Sequence, residues 1–225
     1  MPPPPKPQMP MPNYAHHTFD EGGVAIWHIT ESADELYAQL ATTRYDAQLI
    51  EKKNEARRAE WLAVRLLVKQ LFGSECEVDY RPSGAPYLKG SDMHISISHT
   101  RGYAVVAYHR AQPIGVDVEH ISSRVERIAS RFTSEEEAAY IDQHDEHERM
   151  MYHLINWSAK ETLYKLFSTP ALAEFKEAFH ITPYALEGQG ILHACVHYEN
   201  CAEVEVRYRI FPDFVCTWAY ASLKM

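Results

Sequence analysis

Three runs with the alternating pattern of β-strands close the chain, Ile191–Tyr198, Glu203–Phe211 and Phe214–Tyr220. They follow a block of helical pattern from Val125 to about Ser168. Ahead of that block lie more strand-like runs. His94–Ser98 and Tyr103–His109 are joined through the turn Thr100-Arg101-Gly102, and Ile114–Glu119 comes next. Strands, then helices, then strands, with antiparallel-style spacing, predict an α+β fold rather than a doubly wound sheet. With 46% hydrophobic and 24% charged residues the chain has ordinary globular composition, which excludes collagen, coiled coil and wholesale disorder.

The remaining organisation is read from punctuation and charge. Residues 1–13 are proline-rich and form a disordered or polyproline-like tail. Val24–Ile29 reads as a first strand and residues 34–42 as a short helix. An apolar face from Ile50 to Phe72 predicts a helix that Gly73 ends. That helix carries Lys52, Lys53, Arg57, Arg58, Arg65 and Lys69 against Glu51, Glu55 and Glu60, a local basic surface on a chain of net charge -9. A solvated helix face and a dock for an anionic ligand both fit it. The acidic balance speaks against nucleic acid as partner. No apolar run reaches the length of a membrane span, and no secretory leader is seen, so a cytoplasmic protein is expected, with its four cysteines reduced.

Two clusters carry candidate chemistry. In Gly115-Val116-Asp117-Val118-Glu119 strand alternation places Asp117 and Glu119 on one side and the valines on the other. Two carboxylates so placed suit a hard cation such as Mg²⁺, or are two solvated acids on a half-buried strand. In Trp157–Lys165 helical spacing stacks Trp157, Glu161 and Lys165 on one stripe. Glu161 and Lys165 are then either a plain ion pair or a further oxygen ligand beside a phosphate-directed cation. In a third segment, Ser98 and His99 are adjacent in a strand and face opposite ways, so they cannot be a nucleophile–base pair there. Contact with a phosphate is the more economical reading. His144, His147 and His153 read as a solvated stretch rather than a metal site.

Gly115–Glu119, Phe132–Glu137 and Trp157–Lys165, at this separation, resemble the signature of the 4'-phosphopantetheinyl transferases. Gly84-Ala85-Pro86-Tyr87, Ile95–Thr100 and Arg57–Leu62 resemble further motifs of that family. The resemblance runs from about Arg57 to Lys165. The length is similar to that of the larger, surfactin-synthetase-activating type. This implies two similar α+β halves packed as a pseudo-dimer, 14–111 and 112–225, in a monomer, with the active site in the cleft between them.

The resemblance further implies that Asp117, Glu119 and Glu161 bind Mg²⁺ together with the pyrophosphate of coenzyme A. Lys165 would hold the phosphate at the scissile bond, as a catalytic and coenzyme A-binding residue. Arg58, Ser98 and His99 would contact coenzyme A phosphates, and Glu137 would be the general base. Ser134 with Glu137 also fits a capping box at a helix start. The family's usual Gly-Lys-Pro is Gly84-Ala85-Pro86 here, so one phosphate-contacting lysine is missing; Lys89 is nearby in sequence. The implied reaction moves 4'-phosphopantetheine from coenzyme A to a serine of an apo acyl or peptidyl carrier protein. A Mg²⁺-dependent phosphodiester hydrolase and a non-catalytic binder of coenzyme A or carrier protein are the rival readings.

Overall fold

The computed structural model describes residues 14–51, 54–73, 76–168, 174–198 and 200–221, so the proline-rich segment 1–13 lies outside the described residues. In chain order the elements are β1 (Tyr14–Phe19), β2 (Gly22–His28), α1 (Ala33–Leu40), α2 (Asp46–Ile50), α3 (Glu55–Phe72), β3 (Val78–Tyr80), β4 (Pro86–Leu88), β5 (His94–Thr100), β6 (Tyr103–His109) and β7 (Ile114–His120). There follow a 3₁₀ helix (Ser123–Arg131), α4 (Glu135–Ile141), α5 (Glu146–Phe167), α6 (Phe175–Ala178), β8 (Phe179–Ile181), β9 (Gln189–Tyr198), β10 (Asn200–Ile210) and β11 (Phe214–Tyr220). The chain is α+β.

The strands form an antiparallel sheet in the order β1-β2-β6-β5, a second in the order β7-β11-β10-β9-β8, and the small hairpin β3-β4. Period-two alternation sorts their side chains into layers. Ala104 and Val106 of β6 pack with Leu62, Leu66 and Leu67 of α3. Their neighbours Val105 and Ala107 point the other way, into a shared layer with Val116 and Val118 of β7 and Phe214, Cys216 and Trp218 of β11. Val215 and Ala219 of β11 face Ile155, Ala159 and Leu163 of α5. The order is helix, sheet, common apolar layer, sheet, helix.

Caps explain where the helices depart from the apolar pattern. The helix expected from Ile50 starts at Glu55, because the Asn54 side chain accepts the Arg57 N–H. The helical block after Val125 is cut into pieces by two further caps, Ser134 and Asp145. Strand β1, not expected from the sequence, pairs along its length with β2. Cys76 and Cys216 are free, whereas Cys195 is disulfide-bonded, contrary to the expectation that all four are reduced. Among the described residues no helix is long and apolar enough to cross a membrane.

The two sheets meet along β5 and β7 without a backbone ladder. From Ser96 on, every second residue of β5 carries a hydroxyl, and each accepts an N–H of β7: Val116 to Ser96 at 3.0 Å, Val118 to Ser98 at 3.3 Å and His120 to Thr100 at 3.2 Å. The edge amides of β7, which would otherwise be buried unpaired, are thereby satisfied. On the other flank α5 crosses β7 at Gly115. A Cβ there would lie 2.1 Å from the Thr162 carbonyl oxygen and 3.0 Å from the Leu166 nitrogen, so only glycine lets strand and helix approach this closely.

Candidate active site

That close approach sets Asp117 of β7 against α5. Asp117 is buried and its carboxylate is bonded at both oxygens: Oδ1 accepts Ser98 Oγ at 2.9 Å and Lys165 Nζ at 2.7 Å, and Oδ2 accepts Ser158 Oγ at 2.9 Å. Ser158 is itself held 2.9 Å from Thr217 Oγ1 of β11. Lys165 Nζ also donates to Ser98 Oγ and to the Val116 carbonyl. Two residues further along β7, Glu119 Oε1 accepts Trp157 Nε1 at 2.7 Å. The helical stripe of Trp157, Glu161 and Lys165 therefore faces the strand acids, as its spacing implies.

Electrostatics mark this cluster. Burial, followed by the Asp117 charge, pushes the Glu119 carboxyl up to about 7; the Trp157 bond opposes the shift and the Glu161 charge adds to it. Burial and then Asp117 also raise Glu161, which has no hydrogen-bond partner among the described residues. Crowded acids in a half-buried site want positive charge, and an all-oxygen donor set suits a hard divalent cation. Among the described residues, however, no three carboxylate, imidazole or thiol groups already enclose one point. Lys165 is the cation beside the acids, and a metal would share Asp117 with it or displace it.

The cluster lines a cleft of about 1210 Å³. Ser98, His99, Asp117, Glu119, Glu161 and Lys165 all reach its wall. Ser98 and His99 point apart, as strand geometry requires: Ser98 toward Asp117, His99 toward α3, with Nδ1 3.3 Å from Glu60 Oε2. Burial lowers the His99 imidazole below its ordinary range, against the pull of Glu60. Arg57, Arg65, Arg81 and Tyr87 line the same cleft.

Two residues named from the resemblance are not brought to this wall. Arg58 turns to Asp34 at 3.6 Å and Glu55 at 3.7 Å, and its neighbour Arg57 lines the cleft instead. Glu137 is 3% exposed and fully engaged elsewhere. Oε2 accepts the Ser134 N–H at 2.8 Å and Lys160 Nζ at 2.7 Å, and Oε1 accepts the Ile181 N–H at 2.9 Å. The capping box is present, and the carboxylate ties α4, α5 and β8 together. The sequence reading missed Lys160, whose ammonium is wholly buried and also donates to the Phe132 carbonyl. It also missed Ser158 and Thr217.

Residues 113–219 match the family model described as 4'-phosphopantetheinyl transferase superfamily. The chain is 32% identical over 97 residues to 4'-phosphopantetheinyl transferase Sfp of Bacillus subtilis (strain 168), covering 43% of each chain. It is 38% identical over 88 residues to a 4'-phosphopantetheinyl transferase of Bacillus subtilis, covering 36% of this chain and 37% of that one. The matched stretch thus spans less than half the length of either relative. The family match takes in β7, α5 and β11, which together supply Asp117, Glu119, Ser158, Glu161, Lys165 and Thr217. Through residues 113–219 the chain is similar to the 4'-phosphopantetheinyl transferase superfamily.

Proposed function

We propose that this protein transfers 4'-phosphopantetheine from coenzyme A to a serine hydroxyl of an apo acyl or peptidyl carrier protein. The observation that carries the reading is the lining of one cleft. Asp117, Glu119, Glu161 and Lys165 share the wall of one cleft with Arg57, Arg65 and Arg81, and residues 113–219, which hold the acids, match the superfamily model. Coenzyme A is a ligand with a pyrophosphate in its middle and a phosphorylated nucleoside at its tip, and it suits that lining. Residues 14–111 and 112–225 are proposed as the two halves of a monomer, each contributing one wall.

Asp117, Glu119 and Glu161 would hold Mg²⁺, which supplies charge neutralisation on the pyrophosphate. Ser98 and His99 would bind phosphate from the β5 side. The serine oxygen forms a bond to the phosphorus nearest the pantetheine, and the bond from that phosphorus to the 3',5'-ADP oxygen breaks. Lys165 stabilises charge on the departing phosphate, so catalysis is positioning and electrostatics. Glu137 is spent on Ser134, Lys160 and Ile181. The serine proton would therefore pass to a cleft-wall carboxylate or to solvent rather than to Glu137. Mass spectrometry of a panel of apo carrier proteins incubated with the protein, coenzyme A and Mg²⁺ tests this. A gain of one phosphopantetheine on a carrier is expected. Carriers that all stay unmodified while coenzyme A is hydrolysed would point to the hydrolase instead.

A further inference from the structure

Outside the cleft, one face of the second sheet gathers imidazoles around a sulfur. Ala194 and Val196 of β9 are in the core with α5, so alternation turns Cys195 to the other face, where it is half-buried. His193 and His197 flank it on the same face of its own strand. Antiparallel register sets His180 of β8 opposite Cys195 on one side and Glu203 of β10 opposite it on the other. His180 is spent on Glu136 at 3.7 Å, and His193 stands opposite Glu205. His197 is exposed, and its Nε2 lies 3.6 Å from Cys195 Sγ. None of these residues lines the cleft.

Cys195 is disulfide-bonded, while Cys76 and Cys216 lie outside any disulfide. Of the four cysteines this leaves Cys201 of β10. Position 201 stands opposite His197, two residues from the position that faces Cys195, so a bond between them crosses the ladder on the diagonal. Diagonal neighbours are about 7–8 Å apart, whereas the Cα atoms of a disulfide are usually within about 6.8 Å. A bridge at that reach opens more readily than one between directly opposed residues. The hairpin does not depend on it either. β9 is paired with β10 along its whole length, and so short a closed loop constrains the unfolded chain little. The bond is thus placed for chemistry rather than for holding the fold.

We propose that Cys195 and Cys201 form a thiol–disulfide exchange site that reacts with low-molecular-weight thiols and disulfides, with His197 as the base for the Cys195 thiol. In the oxidising direction His197 takes the Cys195 proton. The thiolate attacks one sulfur of a small disulfide, whose S–S bond breaks to release one thiol. Cys201 then attacks the Cys195 sulfur of the mixed disulfide, which closes the internal bond and releases the second thiol. Two protein thiols are oxidised and one small disulfide is reduced to two thiols. Excess small thiol runs the same steps backwards.

The full chain, equilibrated at varied ratios of reduced to oxidised glutathione, then alkylated and read by peptide mass spectrometry, tests this. Cys195 and Cys201 are expected to pass together from alkylated to bonded within the ratios that glutathione spans, while Cys76 and Cys216 stay thiols. Cys195 alkylated at every ratio, bonded at every ratio, or paired with another cysteine overturns the site. Cys201→Ser should hold a glutathione mixed disulfide on Cys195, and failure to form it in oxidised glutathione overturns the exchange step. His197→Ala should oxidise about threefold more slowly than wild type at pH 7. Above about pH 9.5, where a thiol ionises unaided, it should be no slower. A rate equal to wild type at pH 7 overturns the role of His197.

Discussion

Lys165 Nζ lies 2.7 Å from Asp117 Oδ1, joining the last turns of α5 to the centre of β7. The ammonium is part-exposed to the cleft while the carboxylate is buried. It is therefore held by the strand yet within reach of a bound phosphate. A charge that acts chiefly in the transition state is worth roughly a hundredfold or more in rate. Lys165→Ala should lower kcat by that order with a smaller change in coenzyme A affinity, and Lys165→Arg should restore only part of it. Steady-state kinetics on one accepted carrier checks this, and a kcat near wild type in Lys165→Ala would remove Lys165 from the chemistry.

Glu137 and Lys160 should matter for folding rather than turnover. Their side chains are 1% and 0% exposed, and burial pulls the Lys160 ammonium below its ordinary range. Glu137→Ala strands that charge, a loss of about 3–5 kcal/mol by analogy with broken buried pairs. Denaturant titration should show it. At a temperature where the variant is folded, kcat should stay near wild type; a large drop in kcat with an intact midpoint would reinstate Glu137 as the base.

Stability without metal should depend on Glu119. In chelator its folded carboxyl titrates near 7, above the ordinary carboxyl value of 4.5 that it regains on unfolding. Between those values the folded state binds more protons, so stability falls as pH rises through that window and is lowest above it. The denaturation midpoint in EDTA should be lower at about pH 8 than at about pH 5 on account of this group, and Glu119→Gln should shrink the difference. An undiminished pH slope in Glu119→Gln would assign the effect elsewhere.

Gly115→Ala forces a Cβ into the α5 backbone, where nothing can rotate aside. A destabilisation of about 3 kcal/mol or more is expected. Since Glu161 and Lys165 ride on α5, the variant should also lose coenzyme A affinity. An unchanged thermal midpoint would show that strand and helix are less tightly set than this contact requires.

Much of this was legible because it is local. Strands β6 and β11 begin and end where their alternation does, and the strand and helix periods put Asp117, Glu119, Glu161 and Lys165 on facing sides. The hydroxyls at 96, 98 and 100 were equally periodic, but their partners lie about twenty residues on. Nothing in β5 says that a second sheet will need its edge capped. Glu137 was ambiguous for the same reason. Ser134 is three residues away and could be read, whereas Lys160 and Ile181 are 23 and 44 residues away and decided where the carboxylate points. Arg57 and Arg58 are neighbours with the same charge, and their different partners, Glu60 for the one and Asp34 and Glu55 for the other, separate them.

The serine and threonine seam between β5 and β7 has a mechanical consequence. Ladder bonds within a sheet break only by unravelling backbone, but a bond to a hydroxyl is released by one side-chain rotation and replaced by water. The joint between the sheets is therefore compliant where each sheet is stiff. Its softest points, Ser96 and Ser98, lie on the cleft wall. If the proposed carrier protein docks at this cleft, flexing that joint would make room for it with every sheet left intact.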